Sequence, residues 1–142
     1  MIKLKAKIID HVQLSVSDIE RSIKFYTTLF DFEIYKYNKP HKSFAVIGNQ
    51  DLKLCLHNRP DIDYYDTGTI VHFGLEIENW DDVLDKLAKM DISHVPPFTW
   101  EDGAESIYIT DPDLTEIELV KIRGAGLKVQ DEDFDPFKGL SV

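Results

Sequence analysis

The sequence predicts an α+β fold made of two tandem βαβββ modules. Three observations carry that prediction. A strand, a helix and three further strands can be read over residues 8–57. The same pattern restarts over 70–122, after a polar, turn-rich linker at 58–69. The two copies also align at one offset: His72 lies 61 positions after His11, and at that offset Leu14 meets Leu75, Val16 meets Ile77, Ile23 meets Leu84, Tyr26 meets Leu87 and Leu29 meets Met90. Each copy alone would expose an apolar sheet face, so the two must pack together or share a sheet.

The elements follow in order. Residues 8–16 alternate, with His11, Gln13 and Ser15 on one face and Val12, Leu14 and Val16 on the other, which is the period of a strand. Ser17 and Glu20 read as a capping box opening a helix to about residue 30, with Ile19, Ile23, Tyr26 and Phe30 as its apolar stripe. Asp31 is expected to end it in a left-handed conformation. Strands follow at 32–37, 43–47 and 52–57, separated by turn signals at Lys39-Pro40 and Gly48-Asn49. In the second copy, 71–77 reads as a strand. Asn79 reads as a helix cap with Asp81 and Asp82 in the first turn and Trp80, Val83, Leu84 and Leu87 as the stripe. Strands at 92–95, 106–110 and 116–121 complete it. Residues 1–122 are expected to form one domain, and 123–142, rich in Gly and Asp/Glu, a C-terminal extension lying over the domain or a partner, or a partly disordered tail.

The whole-chain properties narrow the function. A chain of 142 residues with 43% hydrophobic content can bury a core. A net charge of −10 argues against nucleic acid or an anionic membrane as partner. The one cysteine, Cys55, excludes an intrachain disulfide. The N-terminus is too short and charged for a signal peptide, and no apolar run could span a bilayer. The expectation is a soluble, cytoplasmic protein acting on a small molecule.

The candidate chemistry starts at Glu118. It sits between Ile117 and Leu119 in mid-strand, so it points away from their face. On a solvent face it would be an ordinary glutamate. Inside a cup it needs a partner, and a metal ion is a good one. His11 and His72 are the candidate co-ligands, each near the start of its own strand. Two histidines and a carboxylate leave open positions on a divalent ion such as Fe, Zn, Mn, Ni or Co. Lys53, Cys55 and His57 share one strand face and are candidate pocket residues, with packing or rim positions as the ordinary alternative. Tyr108 belongs on the cup face if Glu118 does. Trp100 is a candidate lid or aromatic wall, with packing as the equal alternative. His41 and His94, near prolines, are expected to be exposed. No Gly-rich phosphate loop, Ser-His-Asp pattern or Cys-x-x-Cys pair is present.

The segments IDHVQLSVSDIERSIKFYTTLFDFEIY, VHFGLEI and YITDPDLTEIELV resemble the vicinal-oxygen-chelate superfamily, over roughly residues 8–122. That superfamily includes glyoxalase I, bleomycin-resistance proteins, fosfomycin-resistance thiol transferases, methylmalonyl-CoA epimerase and extradiol dioxygenases. The resemblance implies a glyoxalase/bleomycin resistance/dihydroxybiphenyl dioxygenase-like fold, a cupped mixed sheet around one divalent metal. Its ligands would be His11, His72 and Glu118, with Glu118 the catalytic residue. It further implies a homodimer and a substrate chelated through two neighbouring oxygens, in glyoxalase- or dioxygenase-like chemistry. A metal-free drug-binding protein of the bleomycin-resistance type is the alternative. The chain departs from the family pattern at Leu114-Thr115, where Gly-Asn is common and a different turn geometry is expected, and at Asp31, where Gly is usual. Matching LKL to IEL puts Lys53, a poor ligand, at the family's fourth-ligand position. The acidic stretch Glu101, Asp102 and Glu105 argues against a fosfomycin-type phosphonate site.

Overall fold

The computed structural model describes residues 3, 5, 8–65, 72–100 and 103–123. The expected C-terminal extension beyond Arg123, residues 66–69 of the expected linker and the loop residues Glu101 and Asp102 lie outside these. Module one runs β1 (Val12–Val16), α1 (Ile19–Leu29), β2 (Glu33–Tyr37), β3 (Phe44–Gly48) and β4 (Lys53–Asn58). Module two runs β5 (His72–Glu76), a 3-10 turn (Trp80–Asp82), α2 (Val83–Lys89), β6 (Phe98–Thr99), β7 (Glu105–Thr110) and β8 (Glu116–Val120). The fold is α+β with two four-stranded mixed sheets, ordered β1-β4-β3-β2 and β5-β8-β7-β6. In each sheet the first strand of the module lies parallel to its last, and the remaining pairs are antiparallel. The duplication seen in the residue pattern is therefore a duplication of topology.

Alternation along the strands sets which face is buried. Leu14, Val16, Ala45, Ile47, Leu54 and Leu56 pack on Ile19, Ile23 and Tyr26 of α1, while Leu75, Ile107, Ile109, Ile117 and Leu119 join Val83 and Leu87 of α2. All belong to one core cluster. The opposite sheet faces carry the polar side chains, among them Cys55 and His57 in sheet one and His72 and Glu118 in sheet two.

Local details differ from the residue-pattern expectations for identifiable reasons. The N-cap of α1 is Asp18, whose carboxylate accepts from the Arg21 backbone N–H at 3.1 Å. Ser17 is one residue too early because it is drawn into bonds with Asp113. The helix ends through an extended Phe30 (φ −111°), not a left-handed Asp31. In module two it is Asp91 that takes the left-handed conformation, at φ 55°. Asn79 makes no side-chain bond to the backbone of its helix; its amide donates to Asp82 instead, at 3.0 Å. Residues 92–95 form no strand. The Ile92 N–H closes the end of α2 on the Leu87 carbonyl at 2.9 Å, and Pro96 and Pro97 have no N–H to give a ladder, so pairing with β7 begins only at Phe98. Leu114 takes φ 69°, a left-handed backbone at the position where the family commonly has glycine.

The modules are joined by the Asp111-Pro112-Asp113 turn. Asp113, 5% exposed, accepts from the Ser17 backbone N–H at 3.0 Å, from the Ser17 hydroxyl, from the Arg21 guanidinium at 3.1 Å and from the Ser22 hydroxyl at 3.5 Å. Asp111 accepts from the Tyr26 hydroxyl at 2.8 Å and from the backbone N–H groups of Asp113 and Thr115. The turn before β8 is thereby fixed to the start of α1, just after β1.

Candidate functional site

The site residues come together on the polar face of sheet two. Tyr108 and Glu118 are direct partners across β7 and β8, and Gly74 of β5 flanks Glu118 on the other side. Gly74 shares the face of His72 and Glu76 and puts no side chain over the carboxylate. His72 reaches across from the strand end, its Nε2 3.2 Å from Glu118 Oε1 and its Nδ1 3.4 Å from Glu116 Oε1. The imidazole therefore lies between two carboxylates. The Tyr108 hydroxyl donates to Glu118 Oε1 at 2.8 Å, and its ring stands edge-on to His72 with centroids 5.7 Å apart. The Ser106 hydroxyl lies 2.9 Å from Glu118 Oε2, and Trp100 Nε1 donates to Ser106 Oγ at 2.8 Å. Glu118 is largely shielded, with 12% of its side chain exposed, whereas His72 opens to solvent at 36%. Burial, reinforced by the bond to Glu118, pushes the Tyr108 phenol up to about 12, so it is a neutral hydrogen-bond donor at ordinary pH.

Chemically, His72 Nε2 and Glu118 Oε1 form a two-donor pair of the kind that holds a divalent ion. The second ring nitrogen faces Glu116, the arrangement that fixes tautomer and ring orientation in metal-ligating histidines. His11 is elsewhere. It is half exposed, just before β1, with Nδ1 2.8 Å from the Asp10 carboxylate. Among the described residues no three His, Cys, Asp or Glu side chains stand together as a metal site.

Lys53, Cys55 and His57 lie along β4 in sheet one. Lys53 donates to the Asn49 carbonyl and stands 4.4 Å over the Tyr35 ring. The register changes which of them matches Glu118. Val12 is opposite Leu54 in sheet one, and Phe73, its repeat equivalent, is opposite Ile117 in sheet two. Leu54 thus corresponds to Ile117, Cys55 to Glu118 and Lys53 to Glu116. The Lys53 assignment fails by two residues, one pair along the same strand face, because LKL and IEL match as patterns but not in their pairing to the first strand. His41 and His94 are exposed, as expected.

Ser106 and Glu116 are functional candidates that the sequence reading passed over. Both were legible by alternation: Ser106 shares the face of Tyr108 two residues on, and Glu116 that of Glu118. The clasp between Asp113 and α1 gave no such signal, since its partners are up to 96 positions apart.

Comparison with known proteins adds four findings. The family model described as the Glyoxalase/Bleomycin resistance protein/Dioxygenase superfamily matches residues 8–119. The chain is 31% identical over 115 residues to the metallothiol transferase FosB of Lysinibacillus sphaericus (strain C3-41), covering 78% of this chain and 79% of that protein. It is 32% identical over 74 residues to a trivalent organoarsenical cleaving enzyme of Bacillus sp. (strain MD1), covering 52% of this chain and 44% of that protein, less than half its length. Among solved structures, a bleomycin resistance determinant encoded on the transposon Tn5 shares the fold, with TM-score 0.65 at 17% identity over 82% of this chain and 99% of that one.

Proposed function

Because the chain belongs to the Glyoxalase/Bleomycin resistance protein/Dioxygenase superfamily, we propose that it is a divalent-metal enzyme acting on a small substrate that binds through neighbouring oxygens. The metal would be held by His72 and Glu118 of one chain and His11 of a second copy. The observation that carries the reading is the His72–Glu118 pair, 3.2 Å apart, with Glu116 behind the imidazole and Ser106 and Tyr108 on the carboxylate. A surface ion pair has no need of so many orienting partners. The second copy is supported by the position of His11, exposed and beside β1, and by β1 and β5 each being the outer strand of its sheet. A homodimer would cover these edges and bring a polar face of sheet one, with Lys53, Cys55 and His57, opposite that of sheet two.

A bound cation would supply Lewis-acid polarisation of the substrate oxygens. The chain's own residues do the rest: Glu118 and His72 orient the site, and Tyr108 offers a neutral phenol proton beside them. Glyoxalase- or dioxygenase-like chemistry is placed first, because Glu116 and Glu118 put negative charge on this half of the site and make it a poor cradle for a phosphonate. Thiol transfer to an epoxide gains support from the similarity to a protein named as a metallothiol transferase. A metal-free binding protein is the second reading, favoured by the separation of His11 from the other two donors within one chain.

Elemental analysis of protein purified without chelator or nickel resin tests the proposal. About one metal per chain, lost in Glu118→Ala and in His72→Ala, is the expected result for a single open site. Metal-loaded protein is then offered a hemithioacetal, a catechol with O₂, and an epoxide with a thiol. No metal bound after dialysis against each divalent ion would overturn the proposal in favour of a binding protein.

A further inference from the structure

Resting on that metal site, we infer that Ser106, locked by Trp100, is a positioning residue that presents one oxygen of Glu118 to the metal. The direction of each proton follows from the donors. An indole N–H can only donate, so at 2.8 Å from Trp100 Nε1 the Ser106 oxygen is an acceptor. A serine hydroxyl has one proton, and Glu118 Oε2 at 2.9 Å is where it goes. Ser106 is fully buried, so water cannot take over its bond. The result is a one-way relay, indole to hydroxyl to carboxylate. It holds Oε2 on a buried donor and turns Oε1, which also accepts from the Tyr108 hydroxyl, toward His72 Nε2.

The relay is anchored at its far end. The Trp100 backbone N–H bonds the Ala104 carbonyl at 2.7 Å, and the Gly103 N–H returns to the Trp100 carbonyl at 2.9 Å. That tight turn runs through Gly103 at φ 82°, a conformation suited to glycine. The Trp100 ring packs edge-on against Phe98, with centroids 4.8 Å apart. A glutamate has several rotamers of similar energy, and an unfixed one must lose that freedom when it binds an ion. Here the freedom is already lost in folding. Trp100 is thus neither a plain wall nor plain packing: its indole nitrogen sets the direction of a hydrogen bond to the carboxylate.

The test measures metal affinity rather than turnover. Mn(II), Zn(II) or Ni(II) is titrated into metal-stripped wild type, Ser106→Ala and Trp100→Phe, with a chromophoric chelator as competitor, and urea unfolding is run beside it. Ser106→Ala is expected to bind about 10–100-fold more weakly, the range for loss of an outer hydrogen bond to a metal ligand. Trp100→Phe, which keeps the aromatic contact and removes only the N–H, is expected to weaken binding by a smaller factor with folding intact, so the test stands even if Ser106→Ala unfolds. In wild type the metal should also shift tryptophan emission, and in Trp100→Phe that shift should vanish. Equal metal affinity in all three proteins overturns the relay while leaving the metal site standing. Failure of wild type itself to bind overturns the metal reading on which the relay rests.

Discussion

Replacing Asp113 with alanine should be among the costliest polar substitutions in this chain. The carboxylate is 5% exposed and collects four donors: the Ser17 backbone N–H at 3.0 Å, the Ser17 hydroxyl, Arg21 at 3.1 Å and Ser22 at 3.5 Å. Bonds to a charged acceptor are worth about 1.5–3 kcal/mol each, and an abandoned buried donor costs about 1–3 kcal/mol. These do not add fully, because Ser17 supplies two donors and the Ser22 contact is long. Arg21 is half exposed, so its share is screened to about 1 kcal/mol or less. The expected loss for Asp113→Ala is therefore about 3–5 kcal/mol, the range for breaking a buried charged group's partnership. Asp113→Asn keeps one acceptor oxygen and should lose about half of that. Arg21→Ala should lose about 1 kcal/mol or less. Urea unfolding of the three variants, with unchanged slopes, reads these values. A loss under about 1 kcal/mol for Asp113→Ala, or an equal loss for Arg21→Ala, would refute the reasoning that the shielded acceptor, and not the ion pair, joins the modules.

Two further outcomes follow from the core. Burial first, and the neighbouring Asp111 carboxylate second, hold the Tyr26 phenol well above its usual value of 10.0. The unfolded chain therefore loses this proton first, and stability present below pH 10 should fall as pH rises above it, by up to about 1.4 kcal/mol per pH unit for one proton. Tyr26→Phe should remove one proton's worth of that alkaline slope, with the phenols of Tyr64 and Tyr108, both at about 12, still contributing; an unchanged slope in pH-dependent unfolding would count against it. Gly48 sits at φ 148°, where a Cβ would collide with the Leu52 carbonyl oxygen across the turn into β4. Gly48→Ala should cost well over the ~1 kcal/mol typical of a point substitution, because that obstacle is backbone and cannot turn aside; a thermal midpoint within a degree of wild type would contradict this.

Much of the fold was legible because the repeat was. The offset joining His11 to His72 also joins Leu14 to Leu75 and Tyr26 to Leu87, all four buried, and both sheets have the same strand order, whereas Leu84, matched to buried Ile23 and expected in the stripe of α2, is exposed. Where reading failed, the cause was local competition or long range. Ser17 carries the signature of a helix cap, but Asp113 takes its hydroxyl and backbone N–H, leaving Asp18 to cap. The second strand of module two was misplaced because Pro96 and Pro97 delay pairing to Phe98. At the site, alternation from Ile117 placed Glu118 on the polar face with Tyr108 beside it, and the same alternation would have yielded Ser106. The match of Lys53 to Glu118 failed because a sequence pattern does not state which residues pair across strands. The relation of His11 to Glu118 was not legible at all. Equivalence by repeat says that two residues occupy like positions, not that they meet in one molecule.

That last relation is the most direct test of the proposed site. His11→Ala and Glu118→Ala chains, carrying different affinity tags, are co-expressed, and the mixed dimer is purified and its metal content measured. A site shared between copies leaves one intact set, His11 from the Glu118→Ala chain with His72 and Glu118 from the other. The account predicts about one metal per mixed dimer and none in either variant's own dimer, as a single open divalent site requires. A mixed dimer with no metal, from a wild type that binds it, would contradict the shared site and place all three ligands within one chain.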